Sequence, residues 1–554
     1  MSNIRNEVVR AALNRAFALI DTTIHNTKHK HFEFQKQTLL ADKSLTEDEK
    51  TEAIKKITEN YDRVKVLNNL GTKRICENCN QECLATLFCE YCVRNYLKAN
   101  FSNWTSGNDN IDNLIQKCQI ETLHPDYIVE WIPYDNLKNI KYLTEGGFSK
   151  IYKAIWIGGR CKVWNVKEQK LEKSGYSINV ILKELENIEN ANNSWFEEAK
   201  SHLTISSKWP RIVKCFGLTQ DPSNRTFMLV LNILDVNLRE YLQQNYSQLT
   251  WKEKIQIAVE IIHALDDIHG ENAIHRDLHS GNILYVKRDQ NWYISDLGFC
   301  GPADKPLKSI YGNLPYIAPE VIAGKQTTKA SDIYSFAMLM WEISSGQPPF
   351  LNCKHDYDLI LNIINGIRPR IVSGTPLEYE SLMKQCWDAD PLKRPDSRTL
   401  WKKVNEINLY YQKKSNEPTQ LEINKNFEIN KTSGFKTNYT SSRLSTSKVH
   451  QFGFFPEPKN ATEEEQKAFY SKSYDVFQIP DNIDDFNNSS YWKNNSTSKI
   501  SSIEVNSKDA QNDNKIETMQ QQIKNINLED ENEIHNNPNL HSEEQDESEI
   551  PDSI

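Results

Sequence analysis

The sequence predicts an α+β fold for the central part of this 554-residue chain. Two mainly apolar stretches, at 180–183 and 227–234, have the length and composition of buried strands. Helices are predicted where Ser or Thr is followed three residues later by Glu, because that pair forms a capping box at a helix start. The pairs are Thr46 with Glu49, Ser194 with Glu197, and Thr250 with Glu253.

Length and composition limit the class of protein. A chain of this length is too long for one core, and three or four domain-sized pieces are expected. The net charge of -9 does not indicate a nucleic-acid-binding surface. The longest apolar runs, such as 227–231, are about five residues long, whereas roughly 20 are needed to cross a bilayer. Residues 1–10 lack the apolar core of a signal peptide, so we expect a cytoplasmic protein without a membrane span.

The most specific motif is His-Arg-Asp-Leu at 275–278, followed after three further residues by Asn282. It resembles the catalytic loop of protein kinases. The resemblance implies that Asp277 orients the acceptor hydroxyl and takes its proton, and that Asn282 binds magnesium. The alternative, a polar surface turn, is disfavoured because five specified residues at fixed spacing between apolar flanks seldom arise together.

From about 137 to 411 the chain resembles a protein kinase throughout, which implies a bilobal fold. A small antiparallel β lobe with one helix, αC, would precede a large helical lobe. Further landmarks of the family follow the catalytic loop: Asp296-Leu297-Gly298, Ala318-Pro319-Glu320 with Arg394 as its buried partner, Asp332 as a brace for the loop, and Cys386-Trp387. The Cys-Trp pair suggests the tyrosine-kinase-like group.

Residues 143–152 resemble the glycine-rich loop that covers the phosphates of ATP. Only the central glycine of the family pattern is kept, as Gly146, with Gly147 beside it. The resemblance implies a nucleotide-binding set made of Leu143, Gly146, Gly147, Ile151, Ile181, Lys183, Leu231, Asn232, Leu234, Leu284 and Asp296. Ile181 stands where the family has a small alanine, so a tight fit for the nucleotide is expected.

Two lysines compete for the role of the phosphate-binding lysine. Lys183 ends an apolar run and precedes Glu198 by fifteen residues, the usual separation from the αC glutamate in this family. Lys167 lies at an ordinary distance from the glycines but thirty-one residues before Glu198. We favour Lys183, which implies a Lys183–Glu198 ion pair and makes 157–178 a long polar insertion between two strands.

Two residues near the catalytic loop depart from the Ser/Thr kinase pattern. His279 replaces a lysine that would stabilise the transferred phosphate, and Asn313 replaces a threonine. Slower turnover is therefore expected, although the Gly-x-x-x-Tyr spacing favours Ser/Thr acceptors. Arg276 implies a site for a phosphate on the activation segment, and Ser309 and Tyr311 are the nearest hydroxyls. The predicted function is an ATP- and magnesium-dependent protein kinase, and the alternative is a pseudokinase scaffold that binds partners.

Two modules are predicted before the kinase-like region. Residues 1–70 are expected to form a helical hairpin for partner contact, with the His-rich run 25–31 as a solvated loop rather than a metal site. Residues 71–100 contain two Cys-x2-Cys turns, and two such turns complete the four-thiolate shell that structural zinc prefers. The ligands would be Cys76, Cys79, Cys89 and Cys92, with Cys83 as a spare. The alternative is a small core of reduced cysteines.

A connecting helix is predicted in 101–136, and a tail of mostly disordered chain in 412–554. The tail is rich in Asn, Ser, Lys and Glu, and such a composition cannot bury enough apolar surface to offset the chain entropy. Its exception is 451–492, which is rich in Phe and Tyr. That stretch could dock on the large lobe or a protein partner, or remain a linker, whereas 494–554 is expected to be disordered.

Overall fold

The computed structural model describes residues 4–21, 24–145, 149–185, 194–288, 290–298, 300–302, 310–351, 353, 355–413, 447–450 and 455–472. All of them belong to the unit formed by residues 1–479. The predictions for Gly146, Gly147, Ser309 and 494–554 lie outside the described residues.

The N-terminal region forms three helices: α1 (Asn6–Ala18), α2 (Lys28–Ala41) and α3 (Glu47–Asn68). The capping box at Thr46 is present at the start of α3. The prediction that the His-rich run is a loop is wrong, because residues 28–31 form the first turn of α2. The Thr27 hydroxyl accepts a hydrogen bond from the backbone N–H of Lys30, and this cap starts the helix.

The cysteine-rich region and the connector follow. The short strands β1 (Arg74–Ile75) and β2 (Glu82–Cys83) pair antiparallel, and helix α4 (Glu90–Ala99) begins directly after Cys89. The predicted connecting helix is α5 (Asp109–Ile120), capped by the Asn108 side chain. It leads to β3 (Glu130–Trp131), which joins the sheet of the next lobe.

The small lobe contains a six-stranded sheet and one long helix. Its elements in chain order are β4 (Leu137–Glu145), β5 (Lys150–Trp156), β6 (Cys161–Asn165), β7 (Lys170–Lys173), β8 (Ile178–Glu184), α6 (Ser194–Ser206), β9 (Cys215–Gln220) and β10 (Phe227–Asn232). The sheet order is β3-β9-β10-β8-β5-β4, and only β3 runs parallel to its neighbour. A Cβ at Gly217 on β9 would lie 1.7 Å from the Glu130 carbonyl oxygen, so glycine there permits β3 to pair.

The predicted insertion at 157–178 is an ordered hairpin of β6 and β7. Cys161 and Trp164 of this hairpin are buried in one cluster with cysteines of the cysteine-rich region. Asn78 Nδ2 also donates a hydrogen bond to Gln169 Oε1 at 2.7 Å. The insertion therefore connects the small lobe to the cysteine-rich region.

The large lobe is mainly helical. Its elements are β11 (Val236–Asn237), α7 (Leu238–Asn245), α8 (Trp251–Gly270), β12 (Ala273–Ile274), β13 (Ile283–Val286), β14 (Asn291–Ile294), β15 (Gly301–Pro302), β16 (Ile310–Gly312), α9 (Pro319–Ile322), α10 (Lys329–Ser345), α11 (Tyr357–Ile364), α12 (Leu377–Cys386) and α13 (Ser397–Lys413). The capping box predicted at Thr250 starts α8. Helices α8 and α10 supply much of the main apolar core, which extends to α13.

Two pieces of the tail are described, β17 (Lys448–His450) and a segment that contains α14 (Glu463–Lys472). β17 pairs antiparallel with β16, and the α14 segment packs against the large lobe. The rest of 414–554 lies outside the described residues. Among the helices that are described, none is both long and apolar enough to span a bilayer.

Candidate active site

The stretch 275–282 connects β12 to β13 and is held by Asp332 at the start of α10. The Asp332 carboxylate accepts hydrogen bonds from the backbone N–H groups of His275 at 2.8 Å and Arg276 at 3.0 Å. His269 Nε2 lies 2.9 Å from the same carboxylate. Burial acts to raise the pKa of Asp332, but the interactions with His269 and His275 together outweigh it and hold the pKa below its ordinary value. Asp332 therefore stays charged and braces the loop.

Asp277 is buried, with 5% of the residue exposed. Its backbone carbonyl accepts a hydrogen bond from Asn282 Nδ2 at 2.9 Å. His279 Nε2 lies 3.7 Å from Asp277 Oδ2, and His279 Nδ1 accepts a hydrogen bond from the Gly281 N–H at 3.1 Å. The loop thus places a carboxylate, an amide and an imidazole side by side.

Lys183 lies on β8 and contacts two carboxylates. Its Nζ is 2.8 Å from Glu198 Oε1 on α6 and 2.6 Å from Asp296 Oδ1. Burial acts to lower the pKa of Lys183, but the two negative charges outweigh it and raise the pKa above the ordinary value. Burial likewise acts to raise the pKa of Asp296, and the Lys183 charge holds it below the ordinary value. The expected Lys183–Glu198 ion pair is present.

Asp296, Leu297 and Gly298 follow β14. The Asp296 Oδ1 atom accepts a hydrogen bond from the Gly298 N–H at 3.2 Å. Leu297 is fully buried in the core of the large lobe. Its N–H donates to His202 Nε2 on α6 at 3.2 Å, which connects this turn to the helix that carries Glu198.

Comparison with known proteins decides the family of this region. The family model described as protein tyrosine and serine/threonine kinase matches residues 137–404. Every side chain described so far in this subsection lies within that range. Residues 137–404 are a protein kinase domain.

Individual relatives match the same domain. The chain is 28% identical over 302 residues to a Dictyostelium discoideum protein named probable serine/threonine-protein kinase roco5, covering 51% of this chain and 10% of that protein. It is 32% identical over 201 residues to a dual serine/threonine and tyrosine protein kinase from Pimephales promelas, covering 35% of this chain and 22% of that protein. A protein of the same name from Macaca mulatta is 36% identical over 151 residues, covering 26% of this chain and 16% of that protein. The chain thus spans less than a quarter of these relatives.

The kinase domain brings the residues predicted to contact the nucleotide onto neighbouring strands. Ile151 on β5 pairs with Lys183 on β8, and Ile181 on β8 pairs with Leu231 on β10. Leu231 is 9% exposed and belongs to an apolar cluster that also contacts Ile181, Leu234 and Leu284. Asn232 donates its N–H to the Lys214 carbonyl at 2.9 Å, and Leu143 is exposed on β4.

Lys167, the alternative phosphate-binding residue, lies elsewhere in the kinase domain. It is exposed in the turn between β6 and β7, where its N–H donates to Asn165 Oδ1 at 2.9 Å. The structure brings Lys183, and not Lys167, to Asp296 and Glu198.

The end of the activation segment is fixed by a buried ion pair. Arg394 donates two hydrogen bonds of 2.7 Å to the two carboxylate oxygens of Glu320, as the resemblance implied. Arg276 Nε donates to Thr327 Oγ1 at 3.2 Å. Tyr311 lies on β16, opposite Val449 of the tail, and Asn313 is buried directly after that strand.

Cys76, Cys79, Cys89 and Cys92 come together outside the kinase domain. Their Sγ atoms all lie within 4.8 Å of one another. Two of the Sγ–Sγ distances, Cys76 to Cys92 and Cys79 to Cys89, are both 3.7 Å. Cys83 is buried nearby but does not belong to this set of four.

Two residues of the site were not identified from the sequence. His202 lies four residues after Glu198 on α6, and this helical spacing was the signal that could have placed it on the same face. Ser447 lies in the tail, yet its Oγ is 2.9 Å from Asp277 Oδ1. The sequence has no local pattern that points to this contact, because the two residues are 170 positions apart.

Proposed function

We propose that this chain is an ATP- and magnesium-dependent protein kinase of the tyrosine-kinase-like group that phosphorylates Ser or Thr. The observation that carries the proposal is the ion-paired set of Lys183, Glu198 and Asp296 in the same domain as the braced loop of Asp277 and Asn282. Phosphoryl transfer depends mainly on positioned charges, and this set supplies each of them.

The donor atoms around the loop fit a magnesium ion. The Asn282 amide nitrogen is used on the Asp277 carbonyl, which leaves Oδ1 as its ligand atom. Lys183 and the Gly298 N–H both contact Asp296 Oδ1, so Oδ2 is the oxygen proposed for the cation. Carboxylate and amide oxygens are hard ligands of the kind magnesium takes. Bound magnesium would neutralise charge on the phosphates, and Lys183 would hold them.

Asp277 is the proposed base. Its carboxylate would accept a hydrogen bond from the acceptor hydroxyl, direct the oxygen at the γ-phosphorus, and take the proton as the new bond forms. Beside this carboxylate, His279 would donate a hydrogen bond from Nε2, because its Nδ1 accepts a hydrogen bond from the Gly281 N–H. A neutral imidazole stabilises less charge than a lysine, so a modest turnover is expected.

The Asp277→Asn variant tests the proposal. Full-length wild-type protein should transfer phosphate from labelled ATP with magnesium to casein, and the variant should lose at least about 100-fold in rate, because an amide cannot take the proton. Acid hydrolysis of the product should release phosphoserine or phosphothreonine. Equal labelling by wild type and a folded variant would instead favour a scaffold without catalysis.

We also propose that the four clustered cysteines bind one structural zinc ion. In a tetrahedron with Zn–S bonds of about 2.3 Å, sulfur atoms lie about 3.8 Å apart. The two measured distances of 3.7 Å agree with that geometry, whereas a disulfide would need about 2.05 Å. Four thiolates leave no open position for catalysis, so the role is structural.

A further inference from the structure

Ser447 of the tail lies at the proposed catalytic base. The residue is 8% exposed, and its Oγ donates a hydrogen bond to Asp277 Oδ1 at 2.9 Å. The same oxygen lies 3.1 Å from His279 Nε2. A serine hydroxyl of the chain itself therefore occupies the position where an acceptor hydroxyl would lie.

The hydrogen bonds around Ser447 determine which atom donates and which atom accepts. His279 Nδ1 accepts the Gly281 N–H at 3.1 Å, so the neutral imidazole carries its proton on Nε2 and donates it to Ser447 Oγ. The Ser447 hydroxyl is then free to donate only its own proton, and it donates that proton to Asp277. This is the arrangement required for a base to accept the proton of an attacking hydroxyl.

The backbone after Ser447 is held as a strand. β17 pairs antiparallel with β16 at three positions, Lys448 with Gly312, Val449 with Tyr311, and His450 with Ile310. The His450 ring Nε2 also lies 3.0 Å from the Gly312 carbonyl oxygen. Addition of an extended segment to a strand edge is a common way to bind a peptide, because the main chain supplies the hydrogen bonds.

A second segment, residues 455–472, docks on the large lobe and anchors the strand. Gln466 accepts the Arg368 N–H at 3.4 Å and donates to the Gly366 carbonyl at 2.8 Å. The Tyr470 hydroxyl donates to the Arg368 carbonyl at 2.6 Å. A Cβ at Gly366, which has a φ of +89°, would lie 2.1 Å from the backbone nitrogen of Ala461, so the docked backbone follows this surface closely.

We propose that Ser447 is phosphorylated by the active site of its own chain. The proposal rests on the proposed kinase function. In the transfer, Ser447 Oγ forms a bond to the γ-phosphorus of ATP, and the bond from that phosphorus to the bridging oxygen breaks. The electron pair of the broken bond leaves with ADP, and the hydroxyl proton passes to Asp277.

Phosphorylation then releases the tail from the acceptor position. After Asp277 has passed this proton on to water, the product carries a charge of about −1.5 to −2 close to the Asp277 carboxylate, and like charges at that distance repel. Before the transfer, the same segment excludes other substrates from Asp277. Ser447 is thus both the first acceptor of the chain and the residue that regulates access of later ones.

The experiment uses full-length chain that has been treated with a phosphatase, then freed of it and incubated with magnesium and ATP. Phosphopeptide mapping should find phosphate on Ser447. Its rate constant should not change over about a hundred-fold dilution, because an intramolecular step does not depend on chain concentration. Ser447→Ala should remove that phosphate, and Ser471→Ala should not, since Ser471 is an exposed serine whose hydroxyl donates to the Lys467 carbonyl.

Further variants test whether Ser447 is labelled because its own tail is docked, and whether the labelling occurs within one chain. Gln466→Ala combined with Tyr470→Ala should slow Ser447 labelling several-fold, whereas Glu464→Ala on the exposed face of α14 should not. A tagged Asp277→Asn chain mixed with wild type should stay unlabelled at Ser447. Labelling of that chain, or a rate proportional to concentration, would overturn the intrachain assignment.

The outcome also distinguishes this inference from the proposed function. A preparation that phosphorylates casein but leaves Ser447 unmodified would overturn the inference alone. A folded preparation that transfers phosphate to neither would overturn both.

Discussion

Arg276 and Asp296 hold their backbones in the left-handed region, with φ of 69° and 55°. Residues other than glycine adopt this conformation at a cost of about 1–3 kcal/mol, so the surroundings must stabilise it. The Arg276 N–H donates a hydrogen bond to the Asp332 carboxylate at 3.0 Å, and the Asp296 carboxylate accepts one from Lys183 Nζ at 2.6 Å. The strain lies at the two positions that aim the proposed base and the proposed metal ligand.

Substitution of the two candidate lysines tests the phosphate-binding assignment. Lys183→Met should lower kcat/KM for ATP by about 100-fold or more, because it removes the charge that would hold the phosphates. Lys167→Met is the matched control and should change kcat/KM little, since Lys167 is exposed in the hairpin turn. The opposite ranking in steady-state assays would refute the assignment.

His202 makes stability depend on pH. Burial, assisted by the Lys183 charge, lowers the pKa of His202 from 6.5 to about 3. The unfolded chain therefore binds the proton more readily, so the stabilisation is complete above pH 6.5 and is lost as the pH falls towards 3. Between pH 6.5 and 5 this loss amounts to about 2 kcal/mol.

Urea denaturation of wild type and His202→Gln at pH 7 and pH 5 measures this effect. Glutamine can still accept the Leu297 N–H but has no proton to gain. The unfolding free energy of the variant should fall by about 2 kcal/mol less than that of wild type. Parallel losses in the two proteins would show that His202 is not the titrating group.

At the scale of single elements, short sequence patterns predicted the helix starts that neighbouring residues determine. The capping boxes at Thr46 and Thr250 identified two helix starts, because a cap depends on residues three apart. The His-rich run was wrongly predicted as a loop because Thr27 caps α2 without a Glu three residues later, so the capping-box pattern is absent there. The sequence predicted only a polar insertion at 157–178 and not its hairpin. The two buried residues of the hairpin, Cys161 and Trp164, pack against a distant part of the chain, and no local pattern shows that contact.

Because Trp164 packs in one cluster with the cysteines, the proposed zinc site can be tested in the folded protein. Elemental analysis of the full-length protein should give about one zinc per chain, and Cys76→Ser should lose it. A strong chelator should lower the melting temperature and shift the fluorescence of Trp164, because metal binding and folding are coupled. Cys83→Ser is the control and should keep the metal. A full-length protein with little zinc and an unchanged melting temperature on chelation would refute the site.

At the scale of the whole molecule, the kinase domain carries additions on several sides. The N-terminal helices contact the large lobe through Arg10, 3.7 Å from Glu260. They contact the small lobe through Arg63, which donates to the carbonyl of Lys208, just after α6, at 3.0 Å. β3 extends the small-lobe sheet, and the tail covers Asp277. The motifs of the domain could be predicted from the sequence because their spacing is short and specific. The packing of the additions on the domain could not be predicted, because it depends on contacts between residues far apart in the chain.

The central claim is that Asp277 serves as the base of an active kinase. Gln466→Ala combined with Tyr470→Ala provides the background, since it removes side-chain contacts that dock the tail on the large lobe. The measurement is phosphate transfer from labelled ATP to casein by this variant, with and without Asp277→Asn. The account predicts clear incorporation without Asp277→Asn and loss of it, by about 100-fold or more, with Asp277→Asn. Equal incorporation by the two folded proteins, or none by either, would contradict it.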